Sequence, residues 1–343
     1  MSIVEITGAN GFIGSHVVRE FCNNGIKVKC LVRKNSNLEN LKGLDVELIY
    51  GDIESKESLV EAFKNVDFVI HIAAYARDWG SYKTFYDTNV TGTLNVLNAC
   101  VQNGIKNIVY TGSISVYGEE NSKTVKNEDS PFNPEYPYFV NKIFPCKMNY
   151  YRVTKMLGTK EALEFAKQNG LNLTVLEPAW VYGEREFNTG FYEYVKSAKS
   201  GVFVSPGTKK NKFHVIYAGD LAKAFFLAFK KQLQGINRII IGNQRADYME
   251  RIYYLFCKEA NIKKPANVVK YIVYPIGFVL ELIYTLFNSR KAPLLTRGRV
   301  NMFYDNIEFS TRKAETLLDF KSSCTLEEGI HNTIKWYTEN KYL

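Results

Sequence analysis

Ser2-Ile3-Val4-Glu5-Ile6-Thr7-Gly8-Ala9-Asn10-Gly11-Phe12-Ile13-Gly14 runs an apolar strand straight into glycines spaced three apart. Each glycine has its own physical task if the chain turns here from strand to helix. Gly8 permits the tight turn, Gly11 lets backbone approach a pyrophosphate, and Gly14 lets the helix pack on the sheet, with the phosphates at the helix N-terminus. The context is present: His16-Val17-Val18-Arg19-Glu20-Phe21 has helical periodicity, Asn23-Asn24-Gly25 stops it, and a second apolar run follows at 27–32. A dinucleotide is therefore expected against Gly8, Asn10, Gly11, Phe12, Ile13 and Gly14.

Working outward, apolar strand-like runs recur at 3–7, 27–32, 46–50, 68–72, 108–111 and 173–176, with helical patterns between them. That alternation predicts an α/β fold, a doubly wound parallel sheet of Rossmann type covered on both faces. The polar stretch 119–130 and the Pro- and aromatic-rich 131–150 read as a surface excursion. Beyond Pro178 the rhythm is irregular, and this part is expected to supply a smaller substrate-binding region. The expected division is a dinucleotide-binding domain over 1–178 and 214–243 and a substrate-binding domain over 179–213 and 244–343. Ligands in such sheets sit at the carboxyl ends of the strands.

The chain has 343 residues, enough for a large core, and its net charge of +9 comes from 44 basic and 35 acidic residues scattered along it. Without a dense basic run or a nucleic-acid motif, the charge reads as a solvated surface, and no nucleic-acid partner is expected. Six cysteines lie far apart with no CxxC pair, which argues against a zinc site, any other metal centre or a disulfide framework and fits a reduced, cytoplasmic compartment. The first residues enter a strand directly, leaving no room for a cleavable signal peptide.

Thr111-Gly112-Ser113-Ile114-Ser115-Val116-Tyr117-Gly118 follows the fifth apolar run, and Tyr151-Arg152-Val153-Thr154-Lys155 follows the excursion. With the N-terminal glycines, these segments resemble the extended short-chain dehydrogenase/reductase superfamily, whose catalytic group is a Ser or Thr, a Tyr and a Lys four residues later. The resemblance implies catalytic Ser113, Tyr151 and Lys155. One helical turn separates the last two, so Lys155 shares a face with Tyr151 and its ammonium favours the phenolate. A tyrosine of ordinary pKa about 10 then becomes a usable acid or base near neutrality. Tyr138-Phe139-Val140-Asn141-Lys142 has the same spacing, but Pro145 follows closely, whereas 156–167 continues as a Pro-free amphipathic helix. Tyr151 and Lys155 are favoured.

The resemblance extends over most of the chain. Gly51-Asp52-Ile53 is similar to the adenine-contacting segment, His71-Ile72-Ala73-Ala74 to the one passing under the cofactor, and Asn89-Val90-Thr91-Gly92-Thr93 to the helix start that buttresses the active site. Glu177-Pro178-Ala179-Trp180-Val181-Tyr182-Gly183 is similar to the strand end beside the nicotinamide. Cofactor contacts are thereby implied at Asp52, Ile53, Ala73, Ala74, Asn89, Tyr151, Lys155, Pro178 and Val181, and homodimerisation through helices of the cofactor domain. Two positions depart from the pattern: Glu177 stands where an Arg is usual, and Thr159 where a Glu is common.

At the end of the second run, where an acidic side chain would bind the ribose 2′-hydroxyl, the chain has Arg33-Lys34. Two cations suit a 2′-phosphate, so NADP(H) is the expected cofactor, with NAD(H) as the alternative. The segment Lys212-Phe213-His214-Val215-Ile216-Tyr217-Ala218-Gly219-Asp220 lacks the Arg that nucleotide-sugar epimerases usually present to the substrate pyrophosphate. It looks closer to the branch of 3β-hydroxysteroid dehydrogenases and dihydroflavonol reductases, as do Ala76-Arg77-Asp78-Trp79-Gly80 and the tail from Pro293. Tyr75, Trp79, Ser115, Trp180, Phe187 and Phe191 are the expected substrate-lining residues of a mainly apolar pocket for a small-molecule ketone or alcohol. His214 reads as a packed loop histidine. The apolar 271–287, broken by Pro275 and Glu281 and flanked by Lys263, Lys264, Lys270, Arg290 and Lys291, is marginal for spanning a bilayer. It reads either as a helix covering the pocket or as a peripheral, in-plane membrane contact.

Overall fold

The computed structural model describes residues 2–118, 124–188 and 190–343. Its centre is a seven-stranded parallel sheet: β1 (Ile3–Thr7), β2 (Lys27–Val32), β3 (Glu47–Tyr50), β4 (Phe68–His71), β5 (Asn107–Thr111), β6 (Asn172–Pro178) and β7 (Ile236–Ile241). The spatial order is β7-β6-β5-β4-β1-β2-β3. Because helices cover both faces, the strands are apolar almost without alternation: Val4, Ile6, Val28, Cys30, Val69, Ile70, Leu173 and Val175 are all buried. The six strands expected from the apolar runs all form, within a few residues of the expected bounds.

β7 was not separable from the irregular region after Pro178. Its first half, Ile236-Asn237-Arg238, is polar and partly exposed, and only pairing with β6, from Ile236 against Leu173 to Ile241 against Pro178, makes it a strand. Glu5 is the one charge-bearing side chain buried at the centre of β1. Burial pushes its carboxyl up to about 8, against a smaller downward pull from the Lys29 ammonium.

Strand order reverses between β1 and β4, since β1 pairs with β2 on one side and β4 on the other. Connections leave these neighbouring strands in opposite directions, and the crevice between their carboxyl ends is where such sheets take ligands. The register brings Thr7 beside His71 and His71 beside Tyr110 along this rim. The excursion is less superficial than its composition suggests. Tyr138, Cys146 and Met148 form a small buried cluster, and the Glu128 carboxylate accepts from the Ile240 N–H of β7 at 2.8 Å. Residues 119–123 of that stretch lie outside the described residues.

Candidate active site

The glycine turn is built too tightly for side chains. Gly8 has φ +71°, and a Cβ there would lie 2.7 Å from the Ala73 nitrogen. A Cβ on Gly14 would lie 2.0 Å from the Gly8 carbonyl oxygen, so helix and turn meet backbone to backbone. Gly11 caps the Phe12–Asn23 helix with no side chain on its first N–H groups. Those amides carry the positive end of the helix dipole and suit a diphosphate, so the cradle fits a dinucleotide.

Around the turn, the Asn10 side chain donates to the Asn37 carbonyl at 3.1 Å, and the Asn40 side chain donates to the Asn10 carbonyl at 3.0 Å. These bonds pin the loop after β2 beside the turn. Arg33 and Lys34 on that loop are exposed and pair with no carboxylate among the described residues. Asp52 is tied into its own turn, its carboxylate accepting from the Glu54 N–H at 3.0 Å, while Ile53 is buried and its carbonyl accepts from the Asn95 side chain at 3.0 Å.

A buried polar chain links the cradle to the next helices. Thr7 Oγ1 accepts the N–H groups of Ile72 and Ala73, each at 3.2 Å, so its own proton points to His71 Nδ1 at 2.7 Å. His71 must then carry its proton on Nε2, donating to Thr93 Oγ1 at 3.1 Å, and Thr93 donates to the Asn89 carbonyl at 2.9 Å. Burial, helped by the Lys155 charge, pushes His71 down to about 3, so the relay stays neutral. Asn89 accepts from the Tyr75 N–H at 2.8 Å and donates to Thr154 Oγ1 at 3.1 Å. The Met148–Gln168 helix approaches so closely that a Cβ on Gly158 would lie 2.2 Å from the Asn89 carbonyl oxygen.

Ser113 and the expected tyrosine–lysine pair sit at the same end of the sheet. Ser113 Oγ accepts from the Ser115 N–H at 3.2 Å and bonds Ser115 Oγ at 2.8 Å, both side chains being buried. Tyr151 and Lys155 lie on the Met148–Gln168 helix, Tyr151 partly exposed and Lys155 buried. The Lys155 ammonium donates to the Thr111 carbonyl at 2.7 Å and the Tyr110 hydroxyl at 3.0 Å, and Tyr110 stacks on His71 at 5.4 Å. Tyr138, by contrast, is buried in the small cluster of the excursion, where the chain turns without forming a helix, and Lys142 is exposed. Pro178 ends β6, and the next short strand, Trp180–Tyr182, places buried Val181 beside Ile216.

Residues 4–242 match the profile of the NAD dependent epimerase/dehydratase family. The chain belongs to that family. One relative is a sterol-4-alpha-carboxylate 3-dehydrogenase, decarboxylating, of Schizosaccharomyces pombe, 26% identical over 366 aligned positions covering 100% of this chain and 99% of the relative. Another is a putative UDP-glucose 4-epimerase of Methanocaldococcus jannaschii, 28% identical over 350, with 98% and 99% covered. The fold is also that of a UDP-glucose 4-epimerase from Thermotoga maritima, solved with UDP-glucose, at TM-score 0.78 and 22% identity over 99% of each chain. The family is therefore that of NAD-dependent oxidoreductases and epimerases, as the resemblance to the extended short-chain dehydrogenase/reductases implied.

Against the family background, the departure at Glu177 has a structural counterpart. Arg238, one strand away on β7, donates through Nε to Glu177 Oε1 at 3.1 Å, and the Tyr117 hydroxyl donates to Glu177 Oε2 at 2.5 Å. The guanidinium also bonds the Tyr117 hydroxyl and lies over the Phe132 ring at 4.3 Å. Carboxylate and guanidinium are thus both present, with the guanidinium on the neighbouring strand. Thr159 is fully buried on the helix of Tyr151.

The aromatic residues expected to line the substrate divide. Tyr75 and Trp79 share one loop, with the Tyr75 hydroxyl donating to the Trp79 carbonyl at 3.1 Å. Trp79 is nearly buried, its indole N–H donating to the Ser289 carbonyl at 2.9 Å and the Lys147 ammonium 3.7 Å from its ring centroid. Trp180 packs on Phe213 with ring centroids 5.4 Å apart. Phe191 and Phe187 pack among other aromatic residues. Phe191 is 1% exposed and stacks on Phe256 in the core. Phe187 belongs to a cluster with Tyr192, Trp336, Tyr337 and Tyr342. Both follow the apolar demand of the C-terminal helices. His214 is fully buried, bonded to the Asn243 carbonyl at 2.7 Å and accepting the Phe309 N–H at 3.1 Å.

Sequence reading did not single out Thr7, His71, Tyr110, Thr154 or Arg238. A polar residue ending a mainly apolar strand was the available signal for Thr7 and His71, and Tyr110 stands one residue before the end of β5. Nothing local marks Arg238.

Proposed function

We propose that the protein is an NADP(H)-preferring oxidoreductase that interconverts a secondary alcohol and a ketone on a bulky, largely apolar substrate. The observation that carries the reading is that Lys155, one turn beyond Tyr151 on the same helix, donates to the Thr111 carbonyl at the end of β5, two residues before Ser113, while Thr154 of that helix is joined through Asn89, Thr93 and His71 to Thr7 at the glycine cradle. When bound between Gly8, Gly11 and the loop of Arg33 and Lys34, the cofactor supplies or accepts the hydride. In the reducing direction Tyr151 donates its phenolic proton to the carbonyl oxygen, and Ser113 holds that oxygen by a hydrogen bond. Lys155, anchored by the Thr111 carbonyl, supplies the positive charge that makes the phenol a better acid. Segments 1–178 with 214–243 hold the cofactor, 179–213 with 244–343 hold the substrate, and the enzyme works in the cytoplasm as a homodimer.

Apolar specificity is supported by the surroundings of Lys212, the one cation in the segment where a sugar-nucleotide anchor is expected. Its ammonium is committed to Glu308, at 2.8 and 3.0 Å. One relative is by its name a sterol-4-alpha-carboxylate 3-dehydrogenase, an enzyme of a sterol substrate. The epimerase relative keeps a second reading in view, a nucleotide-sugar 4-epimerase or dehydratase with tightly held NAD. Denaturing the purified protein and assaying released cofactor separates the two: little released NAD fits the first, stoichiometric NAD the second. A screen of sterols, flavonoid-like ketones, simple aldehydes and UDP-sugars, followed by cofactor absorbance, is expected to give turnover on apolar ketones with NADPH favoured over NADH. Turnover confined to UDP-sugars, or a clear preference for NADH, would overturn the corresponding part.

A further inference from the structure

The Lys270–Leu286 helix has its polarity inside out. Its protein-facing residues Val273, Gly277 and Glu281 are buried. A Cβ on Gly277 would come within 3.2 Å of Val300, and Glu281 forms a fully buried pair with Arg297 at 2.9 Å. Arg297 also donates to the carbonyls of Phe139 and Phe144, which clamps the excursion to the same helix. The opposite face, Ile272, Ile276, Val279 and Ile283, is 42–50% exposed and falls in one stripe at helical spacing. Phe139 packs edge-on against Phe278 and continues the surface to Ile143, which is 89% exposed. A helix folded only against water would bury its isoleucines and expose its glutamate.

Of the flanking cations, Lys264 and Lys270 pair with Glu250 and Asp305, and the charges left over are basic. Between 263 and 294 the only acidic residue is Glu281, which is buried, and 136–149 has none. Lys142, Lys263, Arg290 and Lys291 are exposed and meet no carboxylate among the described residues. Face-to-face contact with a second copy of the chain would set these cations against each other. No helix among the described residues is long and apolar enough to cross a membrane, and at 17 residues this one is about 25 Å long, suited to lying along a surface.

We propose that this face docks in the plane of an anionic lipid bilayer, the Ile272–Ile283 stripe with Phe139 and Ile143 entering the acyl boundary and the flanking cations meeting lipid phosphates. The Trp79 indole bonds the Ser289 carbonyl just beyond the helix, so the docked face adjoins the loop expected to line the substrate. Docking stands independently of the substrate assignment, because it uses none of the residues of the hydride-transfer group.

The test is co-sedimentation of the full chain with vesicles of phosphatidylcholine alone and of phosphatidylcholine mixed with phosphatidylglycerol. The protein is expected to pellet with the mixed vesicles and much less with neutral ones. Ile276→Asp/Ile283→Asp should weaken partition by roughly tenfold or more, because apolar burial in the acyl region is lost. Lys263→Glu/Lys291→Glu, which leaves the apolar stripe intact, should weaken it by a similar order. Thermal unfolding and cofactor binding like the parent's confirm that the variants are folded. Protein left in the supernatant with both vesicle types, equal pelleting of parent and variants, or a lipid-free dimer abolished by the isoleucine variant would overturn the proposal.

Discussion

Replacing Arg238 by Met should destabilise the protein in a pH-dependent way. Glu177 has no exposed side-chain surface, and the Arg238 side chain retains 18%. Removing the guanidinium leaves the carboxylate with the Tyr117 hydroxyl alone. Breaking a buried pair from one side costs about 3–5 kcal/mol, and the partial exposure of Arg238 argues for about 3. Burial already raises the Glu177 pKa, with Arg238 the main influence holding it down. Without Arg238 the carboxyl rises further. Between its unfolded and folded pKa values the folded variant then binds a proton the unfolded chain has released, so stability falls as pH rises through that window. Urea unfolding followed by tryptophan fluorescence should show a small deficit near pH 5 and the full one near pH 8. Glu177→Gln/Arg238→Met, with no buried charge left, should recover most of the loss. The same deficit at both pH values, a deficit below about 1 kcal/mol, or a double variant no better than the single would refute the reasoning.

Four further outcomes follow from other sites. Gly14→Ala should abolish cofactor binding in a fluorescence titration and lower the melting temperature, because its Cβ would lie 2.0 Å from the Gly8 carbonyl. Gly104→Ala, at φ +71° with nothing within 4 Å, should cost about 1 kcal/mol and leave binding intact. For Glu5, pushed up to about 8, the sign runs the same way as for Glu177: stability is lost as pH rises from the unfolded carboxyl value toward 8. Glu5→Gln should flatten that slope and gain up to about 3 kcal/mol at neutral pH, and an unchanged slope in melts across that range would contradict the assignment. Charge reversal at Arg33 and Lys34 should move the ratio of kcat/KM for NADPH over NADH downward by roughly tenfold or more, and an unmoved ratio would remove the 2′-phosphate reading.

The legible parts of this fold are those whose causes are local. Gly8 and Gly14 stand where backbone meets backbone, and Tyr151 and Lys155 need only one turn of helix to share a face. β1 to β6 are short apolar runs bounded by turns. What the sequence concealed arises across strands. Arg238 meets Glu177 only because β7 pairs with β6, and the Thr7–His71–Thr93–Asn89 relay joins three segments. Phe191 shows a different limit of sequence reading, because an aromatic residue near a ligand-binding strand end serves core and pocket alike, and here it stacks on Phe256. Pro275 and Glu281 looked like interruptions, yet the proline is accommodated within the helix and the glutamate is its anchor.

The most direct test of the central claim compares Tyr151→Phe with Tyr138→Phe, measuring both turnover of an apolar ketone and cofactor affinity. Tyr151→Phe should bind cofactor like the parent and lose turnover, because the proton donor is gone while the cradle at Gly8, Gly11 and Gly14 is untouched. Tyr138→Phe should retain substantial activity. Substantial activity in Tyr151→Phe, with loss in Tyr138→Phe, would contradict the account.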